Sequence, residues 1–357
     1  MKKGWKIALC VLLAIVLLAA AYLIYVFLDY HRIADNQPLP VTRKASREAA
    51  VGQPYTLLSW NIGFGAYEPD YGFFMDGGTE SWAWSEERLQ KNMTRIAEFT
   101  ASQEADIVLL QEVDFDSTRT YHLDETQYFT KALPEMSSVQ AVNYDSPFLF
   151  YPFLQPHGAS RSCIMTCSGF RLLSSLRRSL PIETGFTKFL DLDRCYSVTR
   201  AAMENGKELC IFNVHLSAYS SDGSIGDEQM KMLVGDLQAE YEKGNYCICA
   251  GDFNKDLLGD SSRYFGVSTA GYSWTQPIRL EVLDGTDIRL EAPLDETHPV
   301  ASCRNADGPI RDGQLRLTVD GFLVSENVEV LSSEVIDLEF AFSDHNPVKL
   351  TFLLKEE

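Results

Sequence analysis

The hydrophobic pattern of the chain changes sharply after residue 28. Ile7 to Leu28 is apolar almost without interruption, with Lys2, Lys3 and Lys6 before it and Asp29, His31 and Arg32 after it. At about 1.5 Å per residue this stretch reaches roughly 33 Å as a helix, enough to cross the hydrocarbon of a bilayer, and the basic flank should stay cytoplasmic. A cleaved signal peptide is the competing reading, but its apolar core would run about 7 to 15 residues. Tyr22, Tyr25, Phe27 and Tyr30 also crowd the place where a small-residue cleavage site would stand. Residues 1–32 are therefore expected to form a cytoplasmic stub and a single-pass anchor in the cell membrane, with the remainder extracytoplasmic. Residues 33–54 hold Pro38, Pro40, Arg43, Lys44, Arg47 and Pro54 with little apolar pattern. They are expected to be a linker lifting one domain, residues 55–357, off the bilayer.

Beyond the linker, two periodicities take turns. Thr56 to Trp60 reads as a strand delivering Asn61 to its end, and Asp106 to Gln111 as a covered strand with Glu112 at its C-terminus. Between them, Leu89, Met93, Ile96 and Phe99 recur at helical spacing within 85–103. Residues 161–170, Tyr196–Ala202 and Leu209–Val214 predict further strands, the last ending in His215. Met230, Leu233, Val234, Leu237 and Tyr241 mark one face of a helix over 226–242. The strand Tyr246–Ala250 then leads through Gly251 to Asp252 and Asn254. Arg316–Val319 leads to Asp320, Gly321–Val324 continues it, and a last strand runs from Pro347 to Leu354. Strand, helix and strand in alternation predict an α/β domain of two stacked mixed β-sheets flanked by helices.

Charge and composition narrow the function. Residues 1–32 contribute +3 to a formal total of −19, so residues 33–357 carry −22. Such a surface repels polyanions at long range and argues against a protein built to grip nucleic acid. Arg171, Arg177 and Arg178 form a compact basic cluster before a long acidic remainder. Seven cysteines lie outside the apolar span; Cys210, Cys247 and Cys249 read as small strand hydrophobes, and Cys163 and Cys167 lack partners at zinc spacing. Residues 63–84 are dense in aromatics and read either as packed scaffold or as a rim facing substrate or membrane.

The chemistry-bearing residues stand at strand ends. Asp252 and Asn254, one residue apart on extended backbone, can address one target. Glu112, after an apolar run, needs a cation, a donor or water, and a hard divalent ion meets that need. Asp320 is a better orienting partner for His345 than its neighbour Asp344, and a carboxylate there would raise the imidazole's pKa. His157, His298, Arg304 and Asn305 lie in turn-rich stretches whose simplest reading is surface loop.

The ordered set of WN at Asn61, QE at Glu112, NVH at His215, GDFN at 251–254, VD at Asp320 and SDH at 343–345 resembles the endonuclease/exonuclease/phosphatase superfamily. The resemblance covers residues 55–354 and implies the DNase I-like four-layer sandwich. It implies that Glu112 is the principal Mg²⁺ ligand, with Mn²⁺ as the alternative ion, and that Asn61 and Asp344 are close to the metal. Asp252 would orient or deprotonate the attacking water, and Asn254 would position water or phosphate. His345, backed by Asp320, would polarise the phosphate, with His215 opposite. The expected activity is hydrolysis of a phosphoester, as a phosphodiesterase or phosphatase, on a lipid headgroup or small molecule by a monomeric membrane-anchored enzyme. An extracytoplasmic nuclease and a non-catalytic binding module on the same fold are the alternatives.

Overall fold

The computed structural model describes residues 2–182, 193–218, 224–269, 271–272 and 274–356. In chain order the first eight strands are β1 (Gln37–Pro38), β2 (Val41–Thr42), β3 (Pro54–Asn61), β4 (Ile107–Asp114), β5 (Ser137–Asp145), β6 (Arg161–Ser168), β7 (Leu172–Ser179) and β8 (Cys195–Ala202). The others are β9 (Glu208–His215), β10 (Tyr246–Asp252), β11 (Ile288–Glu291), β12 (Cys303–Arg304), β13 (Arg316–Leu317), β14 (Asp320–Ser325), β15 (Val328–Val335) and β16 (Val348–Leu354). The helices are α1 (Lys2–Asp29), α2 (Glu86–Ser102), α3 (Thr126–Ala132), α4 (Ser224–Tyr241) and α5 (Ser262–Phe265).

Alternating side chains decide the layering. In β3, Leu57 enters the core between the sheets while Leu58 and Trp60 face α2. In β10, Tyr246, Ile248 and Ala250 point inward, and Cys247 and Cys249 pack with Leu233 and Leu237 of α4. Both faces of each central strand are thus apolar, and each sheet is covered by the other and by a helix. One seven-stranded sheet has the order β1-β7-β8-β9-β10-β14-β11 and the other β15-β16-β3-β4-β6-β5-β2. The parallel pairs β3–β4 and β9–β10 lie within them, each joined through its helix. Their C-terminal ends deliver Asn61 and Gln111 from one sheet, and His215 and Asp252 from the other.

The helices match their sequence periods closely. Ser85 caps α2 by accepting from the Arg88 backbone N–H at 3.1 Å, and Leu89, Met93 and Ile96 are buried beneath it. The seven cysteines outside α1 are free and buried, as small hydrophobes. Beyond β1 and β2, five strands had no clear sequence signal. β5 mixes Ser, Gln and Asn with apolar residues, β7 carries Arg and Ser, β11 and β12 are short, and β15 is largely exposed or half-buried.

Two expectations need correction, and one open reading is settled. Residues 33–54 are not a free linker: β1 extends one sheet by pairing with β7, β2 extends the other by pairing with β5, and Leu39 packs against the core between them. Backbone hydrogen bonds to two sheet edges outweigh the local bias of Pro38 and Pro40. Arg316–Val319 does not lead a main-sheet strand, since β13 pairs only with β12 in a small ribbon. The aromatic loop 63–84 is mostly scaffold, with Phe64, Tyr67, Tyr71 and Phe73 buried in edge-to-face contacts.

That loop is locked by a buried ion pair. Arg119 donates from Nε and Nη2 to Asp114 at 2.8 and 2.9 Å, and its guanidinium lies 3.7 Å from the centre of the Phe64 ring. Their side chains are 8% and 0% exposed, so removing one leaves the other charge stranded. Asp114→Ala should destabilise the protein by about 3–5 kcal/mol. The denaturant midpoint in detergent reads this directly, and a loss under about 1 kcal/mol would show the pair to be dispensable.

Candidate active site

Strand register builds the centre of the site. Asp252 at the end of β10 is paired with His215 on β9 and with Asp320 on β14, so three ionisable residues stand side by side. All three are at most 2% exposed. The close approach of β9 and β10 requires Gly251, whose φ is +152° and where a Cβ would lie 2.0 Å from the Val214 carbonyl oxygen.

Asp252 Oδ2 is the focus. Asn61 Nδ2 donates to it at 3.0 Å, His215 Nε2 lies at 3.4 Å and His345 Nε2 at 3.8 Å. The other carboxylate oxygen accepts from the Asn254 backbone N–H at 2.8 Å. Behind His345, Asp320 Oδ2 lies 2.8 Å from Nδ1 and also accepts from Ser302 Oγ at 2.7 Å. With Nδ1–H held by a carboxylate, Nε2 is left facing Asp252.

Burial and neighbouring charges separate the ionisation of these groups. Burial pushes the Asp252 carboxyl up to about 7, opposed by His345 and reinforced by Asp320. His345 moves the other way from an ordinary buried imidazole: burial lowers its pKa, but the charge and hydrogen bond of Asp320 carry it well above the usual value. Burial, the Arg194 guanidinium and His345 together hold His215 well below the usual value. Around a single carboxyl, the surroundings thus favour the charged form of one imidazole and the neutral form of the other.

Glu112 reaches this centre from the opposite sheet through a distortion. Gln111 and Glu112 together occupy a bulge in the β4–β6 pairing, and Glu112 has φ +54°. The strand continues to Asp114 rather than stopping at Gln111 as its apolar run predicts. The bulge sends Gln111 inward to donate to Asn213 Oδ1 at 2.8 Å and re-aims Glu112 to accept from Asn61 Nδ2 at 3.3 Å. Holding a non-glycine residue in this conformation costs about 1–3 kcal/mol, a strain typical of functional positions.

Asn61, expected close to the metal, turns its amide nitrogen toward the two carboxylates. Its Oδ1 accepts from the Gly63 N–H at 3.0 Å, which fixes the amide so that Nδ2 faces the two carboxylates. It orients Glu112 and Asp252 as a donor. Asn254 likewise commits its Nδ2 to the Leu216 carbonyl at 2.9 Å, leaving only its amide oxygen for any other partner.

Two sets of groups have the chemistry to hold a cation. Asp252, Asp320 and His345 bring ligand atoms within 4.8 Å of one another. In that set, however, Nδ1 of His345 and Oδ2 of Asp320 already satisfy each other at 2.8 Å. Glu112 and Asp344 are only partly buried and face each other's charge; burial first, then Glu112, raises the Asp344 carboxyl while His345 lowers it. A carboxyl whose ionised form is disfavoured by a neighbouring carboxylate, as at Asp344, is what a hard divalent ion relieves.

Further side chains complete the frame, of which Ser302 and Asn92 carried no signal in the sequence. Ser302 accepts from the N–H groups of Val319 and Asp320, both at 3.0 Å, and Ser343 Oγ donates to the Asn61 carbonyl at 2.9 Å. Trp60 Nε1 donates to the His345 carbonyl at 2.9 Å, and Asn92 Nδ2 donates to the Gly65 and Phe342 carbonyls, both at 2.8 Å. Asn92 is buried. Arg304 is buried among carbonyls of Tyr67 and Glu68, His157 packs against Phe73 and Phe74, and His298 is exposed.

The sequence profile of the Endonuclease/Exonuclease/phosphatase family matches residues 58–345. Among solved structures, an endonuclease/exonuclease/phosphatase from Beutenbergia cavernae is similar with a TM-score of 0.56 and 15% identity, over 85% of this chain and 72% of that one. ANGEL2, a 2',3'-cyclic phosphatase in complex with adenosine-2',3'-vanadate, gives a TM-score of 0.55 and 14% identity over 89% of this chain and 99% of that one. The human Nocturnin catalytic domain with bound sulfate gives 0.52 and 18%, over 89% and 98%. At these identities the likeness is one of fold. No curated protein matches the chain by sequence.

The Gly251 contact generates a prediction. Gly251→Ala should force β9 from β10 and cost at least about 3 kcal/mol, whereas Gly235→Ala in α4, with nothing within 4 Å, should be neutral or stabilising by up to about 1 kcal/mol. Thermal midpoints of the two variants decide it, and equal midpoints would refute the crowding argument.

Proposed function

The chain belongs to the endonuclease/exonuclease/phosphatase family, and from that premise we propose that it is a divalent-metal-dependent phosphoester hydrolase working at the outer face of the membrane that α1 spans. The observation that carries this reading is the convergence of Asn61, His215 and His345 on Asp252 Oδ2, with Asp320 behind His345. A carboxyl placed between two imidazoles can take the proton of an attacking water, while the imidazoles receive the oxygens of a phosphoryl group.

Glu112 and Asp344 would hold Mg²⁺ or Mn²⁺, which when bound supplies positive charge at the phosphate. Asn61 would keep the Glu112 and Asp252 carboxylates apart and aimed. His345, kept cationic by Asp320, would stabilise charge developing on a nonbridging oxygen through Nε2. His215, kept neutral, suits a hydrogen-bond donor to phosphate better than an acid for the leaving group. Asn254 would offer its amide oxygen to the attacking water.

For substrate we propose a lipid headgroup or a small phosphoester, acted on by a monomer. The surface carries −22 beyond residue 32, and its basic cluster is already committed. Arg177 is buried and donates to the carbonyls of Val142 and Asp193, Arg178 pairs with Asp35 and Asp236, and Arg171 pairs with Glu48. A nucleic-acid backbone would need free cations in their place.

Two experiments test the reading. The full chain in detergent or vesicles, with Mg²⁺, Mn²⁺ or chelator, should be offered sphingomyelin, phosphatidyl lipids, a generic diester, a monoester, a 2',3'-cyclic phosphate and plasmid DNA. Turnover of a lipid or small ester is expected, abolished by chelator and reduced at least about a hundredfold by Asp252→Ala. Plasmid cleavage at a comparable rate would favour a nuclease, and inactivity throughout would favour a binding module. Calorimetric Mn²⁺ binding separates the two cation sets: Glu112→Gln should weaken it at least about tenfold, whereas Asp320→Asn should leave it within about threefold. The reverse order would place the ion at Asp252, Asp320 and His345.

A further inference from the structure

Outside α1, eight large apolar side chains are exposed among the described residues, and four of them fall within five positions: Phe150, Tyr151, Phe153 and Leu154. Phe153 and Leu154 are 83% and 102% exposed. From Ser146 to Ser160 the chain has no Asp, Glu, Lys or Arg, in a protein whose surface is otherwise strongly acidic. Scattered exposed apolar residues are ordinary, but a contiguous uncharged tip of this kind marks a contact surface.

The tip is built to stay in place. Leu149 and Gly158 exchange both backbone hydrogen bonds at 3.0 Å, and the His157 N–H donates to the Tyr151 carbonyl at 3.2 Å. Ser81 Oγ donates to the Gln155 carbonyl at 2.6 Å and Trp82 Nε1 to the Pro156 carbonyl at 2.7 Å. Backbone groups at the base of the loop are therefore satisfied internally while the apolar side chains project outward. Such a segment can leave water without stranding its backbone.

Its neighbour says what covers it. Tyr22 of α1 donates its hydroxyl to the Phe148 carbonyl at 3.1 Å, the Phe148 N–H donates to the Tyr25 hydroxyl at 2.9 Å, and the Tyr22 and Phe150 rings meet edge to face at 5.0 Å. Counted along the helix, Tyr25 and Tyr22 lie roughly 4.5 and 9 Å before Leu28, the end of the apolar stretch. The loop meets α1 inside the depth where aromatic belts sit. The helix also has no slack with which to swing away. Arg32 donates to the Leu180 carbonyl at 3.0 Å, and the Ser179 N–H donates to Asp35 at 2.9 Å, only a few residues after Asp29.

We propose that residues 147–154 are a second membrane-contacting element, an uncharged aromatic wedge seated in the leaflet from which α1 emerges. The inference rests on α1 spanning the bilayer. Together the wedge and the helix form two contacts, so the domain keeps one orientation to the lipid surface. The same loop packs on residues 73–82, through Phe74 against Tyr151 and through the Ser81 and Trp82 hydrogen bonds, and so joins the membrane contact to the segment that continues from Gly63 beside Asp344.

A nitroxide placed by Leu154→Cys in the full chain, with Cys10→Ala and the seven buried cysteines untouched, tests this in phosphatidylcholine vesicles. Collisions with oxygen should exceed those with an aqueous nickel complex, and the ratio should reverse for a label at Leu331→Cys on β15. Nickel access at position 154 equal to that at 331, in a chain that resists alkaline carbonate extraction, overturns the wedge and leaves the anchor standing. A label shielded from both reagents also overturns it, in favour of a protein contact. Extraction by carbonate removes the anchor reading itself.

Discussion

Keeping Asp252 out of water beside two imidazoles is the constraint on which the rest of the structure depends. A lone carboxylate at 2% exposure would neutralise itself or unfold its surroundings. Here every group that faces it is itself held by a third. Asn61 is set by Gly63, His345 by Asp320, Asp320 by Ser302, and the free carboxylate oxygen by the Asn254 backbone. The network places oppositely shifted histidines on the same carboxyl, an arrangement that burial alone could not produce, because burial lowers both imidazoles.

Such a centre needs a frame that does not yield. The two parallel strand pairs bring their C-terminal ends together from opposite sheets, and their inner faces close over an apolar core including Leu57, Ile107, Ile211 and Ile248. A buried Gln111–Asn213 hydrogen bond ties the sheets immediately behind the site. Loops then fine-tune what the strands deliver. Trp60, Ser343 and Asn92 bind the 342–345 segment to β3 and α2, so the loop carrying Asp344 and His345 is fixed by two separate elements.

The arginines of the basic cluster hold the N-terminal segment and neighbouring acids, and through them α1 is joined to the domain without a loose tether. Among the groups named at the site, Glu112 and Asp344 are the ones left partly open.

Much of this was legible in the chain because it depends on local pattern. The apolar run of α1, the helical periods of α2 and α4, and the strands that end in Asn61, His215 and Asp252 follow from side-chain periodicity, and the ordered WN, QE, NVH, GDFN and SDH segments identify the family and fold class. Strands such as β5 and β7 were hidden because their polar residues bond across sheets or to ordered carbonyls, which only a folded partner supplies. For the same reason residues 33–54 read as linker until two sheet edges gave their backbone somewhere to pair. Only the tertiary structure decided that Asn61 turns its amide nitrogen to the carboxylates, that Glu112 is turned into the site by a bulge, that Ser302 braces Asp320, and that His215 and His345 are shifted in opposite directions. Each of those depends on distances of about 3 Å between residues far apart in sequence, and no spacing along the chain encodes such a distance.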